Sequence, residues 1–373
     1  MIIKSLWLSH FRNFEQCQID FSPHLNIFIG DNGQGKTNIL EALYLLMEGV
    51  SFRYSKNETL IQLNEKNALI RSRIENQNLD YNLKLQLSES KKELVVNEKK
   101  STLEKMNLPP AILFSPESLS IIKESSEGRR SLIDQLVIQV NRHGRRLIQD
   151  FKRTLKTRNR LLKDISKDKM ERKLGLETLA SLNPIFLRQA AEFTMLRINA
   201  LAEIQNEVES SLQGIHSNPK IKFDYQYLIT DKNHKSSDLN QVLFALQNRM
   251  QELELAEIQS GGSLIGPQKH DVIFLYDGND SRFYCSQGQQ RSIILAFKMA
   301  QIVYHQRVHG YYPVLLLDDV LSELDLGKQE SLISTLNQTE TQTFVSTTDV
   351  SLISKLSMSN SRVFNIKNGQ IFV

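Results

Sequence analysis

Apolar positions in the first third of the chain predict strands that lead into a helix. Residues 2–8 and 16–21 alternate or are β-rich, and residues 25–30 form a short apolar run that ends at a glycine. Such patterns are typical of β-strands. From residue 36 to 47 apolar residues recur at helical spacing with no proline between them. A loop at 30–35 therefore lies between a predicted strand and a predicted helix.

The middle third of the chain has a different character. Between about residues 118 and 258, long stretches lack glycine and are rich in Leu, Lys, Arg, Glu and Gln, which favours helices. Only 221–229 alternates polar with apolar residues, as an exposed strand does. Further on, 314–317 and 343–346 predict buried strands. The pattern indicates a helical insertion within a domain of strands and helices, without an internal repeat.

Composition narrows the class of protein without identifying it. The 373 residues are 40% hydrophobic and 24% charged, with a formal net charge of +4, which is near the globular average and too small a surplus to indicate a nucleic-acid partner. Cys17 and Cys285 lie far apart, so neither a disulfide framework nor a zinc site is predicted. The first segment turns polar after eight residues, and no segment has the roughly 18 apolar residues of a membrane helix. We therefore expect a cytosolic protein without a membrane partner.

Residues 30–37 match the phosphate-binding pattern GxxxxGK[ST] in full. In such a loop glycines let backbone amides curl around phosphates, the lysine supplies a positive charge, and the threonine hydroxyl binds Mg²⁺. A glycine-rich surface turn is the alternative interpretation, but the strand before the loop and the helix after it favour a nucleotide site. The predicted nucleotide contacts are Gly30, Asp31, Asn32, Gly33, Gln34, Gly35, Lys36, Thr37 and Asn38.

An apolar run that ends in two acids lies far downstream, at 313–319. A Walker-B element requires such a strand, because a magnesium ion and an attacking water must be held beside the phosphates. We predict that Asp318 and Thr37 bind Mg²⁺ and that Asp319 is the general base. Lys36 completes the predicted catalytic set. A buried strand capped by solvated acids is the alternative interpretation.

About one helix upstream of that strand lies the run Ser286-Gln287-Gly288-Gln289-Gln290-Arg291, and Ser322-Glu323-Leu324-Asp325 follows the two acids. A serine and a glycine at the start of a helix present a hydroxyl, backbone amides and a positive dipole end, which together bind anions. Taken alone, this run favours an ordinary helix N-cap. Because the 30–37 loop already supplies one side of a nucleotide, a second anion site is best explained by a nucleotide held by another copy.

In this order the motifs resemble those of the RecF family, bacterial recombination and replication-repair ATPases related to the SMC and Rad50 heads. The resemblance covers nearly the whole length. It is carried by Leu8-Ser9-His10-Phe11-Arg12-Asn13-Phe14, Ser51-Phe52-Arg53, Phe114-Ser115-Pro116-Glu117 with Arg129, Arg130 and Asp134, Leu155-Lys156-Thr157-Arg158-Asn159, Gly266-Pro267, and the segments 286–291 and 315–325.

The resemblance implies an α/β fold with an ABC-type, Rad50- and SMC-head-like P-loop ATPase lobe. Residues 1–116 and 259–373 would form this lobe, and residues 117–258 would form a mainly helical lobe inserted in it. Two protomers would close head to tail around two ATP molecules and shape a surface for DNA. Hydrolysis would release the DNA. The implied partners are RecO and RecR, which help to load RecA where single-stranded DNA meets duplex.

In this arrangement, the resemblance implies, Ser286 and Gly288 of each protomer meet the γ phosphate bound by Lys36 of the other. The further implied nucleotide contacts are Gln287, Gln289 and Asp325. Two segments depart from the general pattern. The family usually has His-Arg-Asp-Asp where this chain has Gln268-Lys269-His270-Asp271, and the histidine that ABC ATPases place after the Walker-B strand is absent from 344–349, as in RecF-like proteins.

Basic residues concentrate between Arg129 and Lys173, where 15 Lys or Arg and five Asp or Glu leave a local surplus of ten. Such a stripe suits sequence-independent contacts with DNA phosphates. The alternatives are a solvated helix surface and, for Arg129, Arg130 and Arg158, an interface with the ATPase lobe. Residues whose spacing can line one or two helical faces are Arg142, Arg145, Arg146, Arg153, Lys156, Arg158, Arg160 and Lys163.

Other functions have less support in the sequence. The chain has no HExxH motif, which a zinc hydrolase would require. A motor helicase would not explain the run at 286–291. A complete SMC or Rad50 protein would need a long coiled coil, for which 373 residues leave no room. A DNA-binding scaffold that uses ATP only as a structural latch stays open as an alternative. Because Asp319 is shorter than the glutamate of many relatives, we expect weak, DNA-stimulated ATP hydrolysis.

Overall fold

The computed structural model describes residues 1–53, 55–76, 79–103, 110–141, 143–339, 341–351 and 361–372. The chain divides into two compact units. The first unit comprises Met1–Leu119, Gly214–Asn218 and Ile294–Val373, and the second comprises Ser120–Gln213 and Pro219–Ile293. The first unit is therefore assembled from both ends of the sequence.

The first unit contains a largely parallel sheet. Its strands are β3 (Leu25–Ile29), β8 (Ala111–Phe114), β13 (Val314–Asp318), β14 (Thr343–Thr347), β15 (Arg362–Lys367) and β16 (Gln370–Phe372). Their order is β16-β15-β3-β14-β13-β8, and β16 is antiparallel to β15 while the other pairs are parallel. Every residue of β3, β8, β13 and β14 is buried, as is usual for parallel strands covered on both faces.

A second sheet of the first unit is antiparallel. Its strands are β1 (Ile2–Phe11), β2 (Phe14–Asp20), β4 (Asn67–Asn76), β5 (Leu79–Ser88), β6 (Lys92–Val96) and β7 (Lys99–Ser101), in the order β2-β1-β4-β5-β6-β7. Buried residues alternate with more exposed ones along β4, so one face packs into a core and the other faces solvent. Leu8, Ile70 and Leu85 join that core, which also contains Phe28 and Leu40.

The helices of the first unit begin with Lys36–Glu48, which is buried along most of its length. The others are Asn57–Leu60, Pro116–Leu119, Leu326–Gln338 and the later part of Gln287–His309, and a 3₁₀ turn covers Val320–Glu323. No helix in the described part of the chain has the length and apolar character needed to cross a membrane.

The second unit is mainly helical but also contains a sheet. Its helices are Ile121–Glu124, Ser126–Val140, Gly144–Ser166, Leu239–Ser260, Ser281–Tyr284, most of Arg172–His216 and the start of Gln287–His309. Its strands are β9 (Phe223–Ile229), β10 (Lys232–Asn233), β11 (Asp271–Tyr276) and β12 (Asn279–Asp280), in the order β10-β9-β11-β12.

β11 pairs with β9 over six residues of each strand. Because this pairing joins segments on either side of the helix Leu239–Ser260, the second unit continues to Ile293, past the boundary predicted at residue 258. The first residues of β11 follow directly on the Gln268-Lys269-His270 segment, which therefore lies in this unit.

The strands and the helix predicted from the hydrophobic pattern are present. β1, β2 and β3 correspond to the predicted strands at 2–8, 16–21 and 25–30, and the predicted helix at 36–47 is Lys36–Glu48. β9, β13 and β14 correspond to the remaining predicted strands. β4 to β8, β10 to β12, β15 and β16 lie outside these predictions.

Candidate nucleotide-binding site

The loop between β3 and the helix Lys36–Glu48 is shaped by glycines that no larger residue can replace. A Cβ added to Gly30 would fall on the carbonyl oxygen of Ile366. Gly35 has a φ of 120°, and a Cβ there would lie 2.8 Å from both the Asn13 amide nitrogen and the Phe14 ring. These contacts explain why the sequence requires glycine at both positions.

Asn13 holds the outside of this loop. Its side-chain amide donates to the Gln34 carbonyl at 2.9 Å and accepts from the Asn38 side chain at 2.8 Å. The backbone amide of Asn368 donates to Gln34 Oε1 at 2.6 Å. Gln34 and Asn38, both predicted to contact the nucleotide, thus have side chains that brace the loop, whereas Asp31, Asn32 and Gly33 are exposed.

Lys36 lies inside the loop and is 6% exposed. Its ammonium group donates to the carbonyl oxygens of Gly30 and Asp31, at 2.6 and 2.9 Å. Burial lowers the pKa of Lys36, and the nearby carboxylates of Asp319 and Asp318 oppose that shift. The lysine charge is therefore held between the loop and the two acids.

Thr37 and Asp318 come together although 281 positions separate them in sequence. The Thr37 hydroxyl donates to Asp318 Oδ1 at 2.8 Å, and the Ser346 hydroxyl donates to the same oxygen at 2.7 Å. Burial raises the pKa of Asp318, and the hydrogen bonds from Ser346 and Thr37 counteract this rise. The two residues predicted to bind a metal are thus adjacent, with Asp318 at the end of β13 and Thr37 in the first turn of the helix Lys36–Glu48.

Asp319 follows β13 in a left-handed conformation, with a φ of 48°. Its backbone amide donates to the Ser346 hydroxyl at 3.0 Å. Its Oδ1 is buried and has no hydrogen-bond partner among the described residues. This unsatisfied carboxylate oxygen can accept a hydrogen bond from a water or a ligand, which is what a general base requires.

Ser346 is the functional candidate that sequence reasoning misses. It pairs with Asp318 in the β13–β14 register, and its hydroxyl contacts both acids. The sequence shows only that Ser346 lies at the end of a predicted buried strand. That this strand pairs with β13 cannot be read from one sequence.

Asp325 caps the helix Leu326–Gln338. Its carboxylate accepts from the Lys328 backbone amide at 3.1 Å and from the Lys328 ammonium at 2.6 Å. These two hydrogen bonds lower the pKa of Asp325. Its local role is therefore that of an N-cap, and its predicted contact with a nucleotide stays a prediction.

Ser286, Gln287, Gly288 and Gln289 lie in the second unit, at the start of the helix Gln287–His309. The Ser286 amide donates to Gln289 Oε1 at 2.9 Å, and the Gln289 amide donates to Ser286 Oγ at 3.2 Å. This reciprocal pair is a capping box. Ser286 and Gln287 are exposed, so the helix start is presented to solvent as the predicted contact with another copy requires.

Three arginines of the basic stretch are engaged inside the second unit. Arg129 makes a bidentate contact with Asp271, at 2.8 and 3.0 Å, and Arg130 donates to the His270 carbonyl at 2.8 Å. Arg158 is 1% exposed and makes an ion pair with Glu257 at 2.7 Å. These side chains tie segments of the second unit together, and at 1% exposure Arg158 is too buried to contact DNA. A role of the three arginines at the interface with the ATPase lobe stays a prediction.

The departure from the family pattern at 268–271 has a structural context. His270 is buried, and burial holds its pKa well below the usual value, with the charges of Arg197 and Arg130 acting in the same direction. The Tyr227 hydroxyl lies 3.1 Å from His270 Nδ1. His270 therefore belongs to a buried polar network of the second unit, whereas Lys269 is exposed.

The helix Gly144–Ser166 presents the remaining basic residues. Arg142 lies outside the described residues. Arg145 is partly exposed, and three exposed arginines pair with acids on the same helix, Arg146 and Arg153 with Asp150 and Arg160 with Asp164. The exposed Lys or Arg residues are Arg146, Lys152, Arg153, Lys156, Arg160 and Lys163.

Comparisons with known proteins identify the family of this chain. The model of the RecF/RecN/SMC N-terminal domain family matches residues 2–371. The chain is 33% identical to the DNA replication and repair protein RecF of Alkaliphilus oremlandii, over all of both chains, and 34% identical to that of Latilactobacillus sakei, over all of this chain and 98% of the relative.

Solved structures give the same result. The RecF-ATP structure, described as a recombination mediator protein in the RecFOR pathway, matches with a TM-score of 0.87 and 28% identity, over 100% of this chain and 97% of that one. A Pyrococcus furiosus Smc head domain matches with a TM-score of 0.55 and 14% identity, over 99% and 95%, which shows a shared fold alone. The chain has the predicted ABC-type ATPase fold, and it belongs to the RecF family of DNA replication and repair proteins.

Proposed function

We propose that the chain binds ATP with Mg²⁺ and hydrolyses it slowly, and that this cycle closes and opens a dimer on DNA during replication and recombinational repair. The observation that carries the proposal is the meeting of Thr37 and Asp318 beside Lys36, within one unit built from both ends of the sequence. The similarity to the RecF-ATP structure supports ATP as the nucleotide.

Lys36 would bind the β and γ phosphates. Phosphate oxygens are charged acceptors and bind an ammonium more strongly than carbonyl oxygens do. The lysine can therefore exchange its hydrogen bonds to Gly30 and Asp31 for contacts with the triphosphate, while the loop amides of 33–37 surround the same anion.

Thr37 and Asp318 fit a magnesium ion. A hydroxyl and a carboxylate are oxygen ligands of the kind that Mg²⁺ prefers. Bound there, the ion would neutralise charge on the phosphate oxygens. Burial raises the pKa of Asp318, so a cation beside this carboxylate would stabilise its ionised form.

Asp319 would orient the attacking water through its buried, unsatisfied Oδ1. Its short side chain reaches less far than a glutamate, which supports slow turnover. A rate on the order of ten per second or faster would contradict this assignment.

The second anion site would act between copies. Ser286, Gln287 and Gly288 at the exposed helix start would contact the γ phosphate bound by Lys36 of another protomer, with Gln289 and Asp325 as further nucleotide contacts. The capping box supports this assignment because it fixes the direction of the helix dipole that the anion would meet.

DNA would contact the exposed basic residues of the helix Gly144–Ser166. Such contacts are made to phosphates and are independent of sequence. We propose gaps, where single-stranded DNA meets duplex, as the target, and RecO and RecR as partners in loading RecA. The description of two similar solved structures as part of the RecFOR pathway supports these partners.

Sedimentation of the full chain with gapped DNA, with and without ATP, tests the proposal. Wild type should dimerise and retain DNA only with ATP, and Lys36→Met should do neither. Ser286→Arg should bind ATP as a monomer but fail to dimerise, while Ser181→Arg, the same change at an exposed helical position, should behave as wild type. Dimers of Ser286→Arg with normal stability would refute the contact between copies.

Turnover measured on the same samples separates two forms of the proposal. A cycling clamp hydrolyses ATP slowly, and faster with DNA. Dimers that retain DNA with no measurable hydrolysis would instead favour a scaffold that uses ATP as a structural latch, an alternative that the short Asp319 side chain keeps open.

A further inference from the structure

A groove on the solvent-facing side of the antiparallel sheet shares no residue with the nucleotide-binding loop. Its volume is about 800 Å³, and its lining includes Trp7, Arg71, Arg73 and Lys84. Three of the lining residues are basic and one, Glu98, is acidic. The groove is therefore large enough for an extended ligand and carries a positive charge.

The strand register places the important side chains in one row across the sheet. Directly opposed residues project from the same face of a sheet. Strands lie roughly 4.8 Å apart, so a row that crosses six of them is about 24 Å long. Successive backbone partners along this row are Gln18, Trp7, Arg71, Lys84, Val95 and Lys100.

Arg71 and Lys84 are like charges placed directly opposite each other, an arrangement that destabilises a sheet. Within the described ranges, no carboxylate lies at ion-pair distance from either residue. Nearby basic residues differ in this respect, since Arg73 pairs with Asp80 at 3.4 Å. The uncompensated pair therefore favours an anionic ligand from outside the chain.

Trp7 adds a stacking element to this charge. The guanidinium carbon of Arg71 lies 4.7 Å from the centroid of the Trp7 ring. Trp7 is partly exposed and Arg71 is exposed. Unpaired bases stack on both aromatic rings and guanidinium planes, whereas the bases of a duplex are already stacked on one another. A groove with this stack thus suits single strands better than duplex.

We propose that this face, defined by Trp7, Arg71 and Lys84, binds single-stranded DNA. Arg71 and Lys84 contact phosphates, and the stack of Trp7 with Arg71 supports a base. The inference rests on the proposed function, because that function makes DNA the partner; it adds the surface that holds the unpaired strand.

Intrinsic fluorescence tests the position of the strand, because Trp7 is the single tryptophan of the chain. Titration of the full chain with oligo(dT) of about 15 nucleotides should quench its emission to saturation, and added salt should reverse the quenching. If a fluorescein-labelled copy of the oligonucleotide binds by anisotropy while the tryptophan emission stays constant, the strand lies elsewhere and the proposal fails.

Variants test the residues. Lys84→Gln should weaken binding and reduce the slope of log K against log salt by about 0.7. Lys99→Gln is the matched control, because Lys99 is exposed and projects from the face opposite to its neighbour Lys100. Equal losses in the two variants, or none in Lys84→Gln, would overturn the assignment.

Trp7→Ala should weaken oligo(dT) binding by about tenfold, and Trp7→Phe, which keeps an aromatic ring, should restore most of it. ATP-dependent retention of gapped DNA, measured in parallel, distinguishes a failure of the proposed single-strand surface from a failure of the proposed clamp function. If wild type retains gapped DNA but does not bind oligo(dT), only the inference fails. If ATP neither dimerises the chain nor retains gapped DNA, the proposed function fails.

Discussion

A single hydroxyl group, that of Ser346, contacts both acids at the end of β13. It donates to Asp318 and accepts from the backbone amide of Asp319. A residue of this kind need not touch the substrate to matter, because partners that orient a metal ligand also tune its affinity. The same reasoning applies to Asn13, which braces the phosphate-binding loop through Gln34 and Asn38.

Ser346→Ala should raise the Mg²⁺ concentration needed for half-maximal ATP turnover by about tenfold or more. Asp318 would lose one of the two hydroxyl donors that oppose the rise of its pKa, and its ionised form would be less well held. Turnover measured against Mg²⁺ at saturating ATP gives the answer. Ser346→Thr keeps the hydroxyl and is the control, and an unchanged Mg²⁺ dependence in the alanine variant would show that Ser346 does not support the metal site.

Arg158 and Arg160 lie on one helix but should differ in their contribution to stability. Arg158 is buried and bonds to Glu257 and Ser263, whereas Arg160 is exposed and lies 3.8 Å from Asp164. Arg158→Ala leaves a buried carboxylate unpaired and should lower the free energy of unfolding by about 3–5 kcal/mol. Arg160→Ala should cost less than about 1 kcal/mol. Urea unfolding followed by circular dichroism compares the two variants. Equal losses in the free energy of unfolding would contradict the burial of Arg158.

At the level of elements, the loop between β3 and its helix depends on the close approach of Gly35 to Asn13 and Phe14. Gly35 and Gly33 both have positive φ, at 120° and 81°, but only at Gly35 would an added Cβ meet other atoms. A larger residue at Gly33 would therefore suffer backbone strain alone, whereas one at Gly35 would also clash with neighbouring atoms.

Gly35→Ala should abolish binding of a fluorescent ATP analogue, because the loop must move away from Asn13 and Phe14 to admit the methyl group. Gly33→Ala meets no atom within 4 Å and should weaken binding by about tenfold or less, the effect of strain near 1 kcal/mol. Comparable affinities in the two variants would show that the close approach does not shape the site.

Local patterns predicted the elements and much of the site. The 30–37 motif and the acids at 318 and 319 could be read directly, because each belongs to one strand–loop element. Ser346 could not, since its contact depends on β14 pairing with β13. Nor could charge spacing distinguish Arg158 from the exposed residues of its helix, because its partner Glu257 lies 99 positions away.

At the scale of the whole molecule, histidines with lowered pKa values occur in both units. Burial is the main cause for His216, His234, His270 and His305, and it lowers the pKa of His305 to about 4. Such groups stay neutral in the folded chain at pH values where the unfolded chain binds protons. Above the pKa of an unfolded histidine, near 6.5, these groups do not oppose folding. As the pH falls below that value, protons bind to the unfolded chain and the free energy of unfolding decreases.

The melting temperature should therefore fall by at least a few degrees between pH 7.5 and pH 5.5. Differential scanning calorimetry measures this shift. His305→Gln removes one of the titrating groups and should reduce the difference between the two pH values, even if it lowers stability at both. A melting temperature that rises on acidification would contradict the assignment of histidines that stay neutral in the folded chain.

The position of β3 in the parallel sheet affects how the protein is made. Its two neighbours, β14 and β15, lie in the last part of the chain. While the ribosome is still translating, the apolar strand of residues 25–29 has emerged but both of its edges are without their native partners. Exposed strand edges of this kind promote aggregation. The first unit can therefore complete this sheet only after residues 343–367 have been synthesised, and a nascent chain stalled before residue 343 should depend on chaperones to stay in solution.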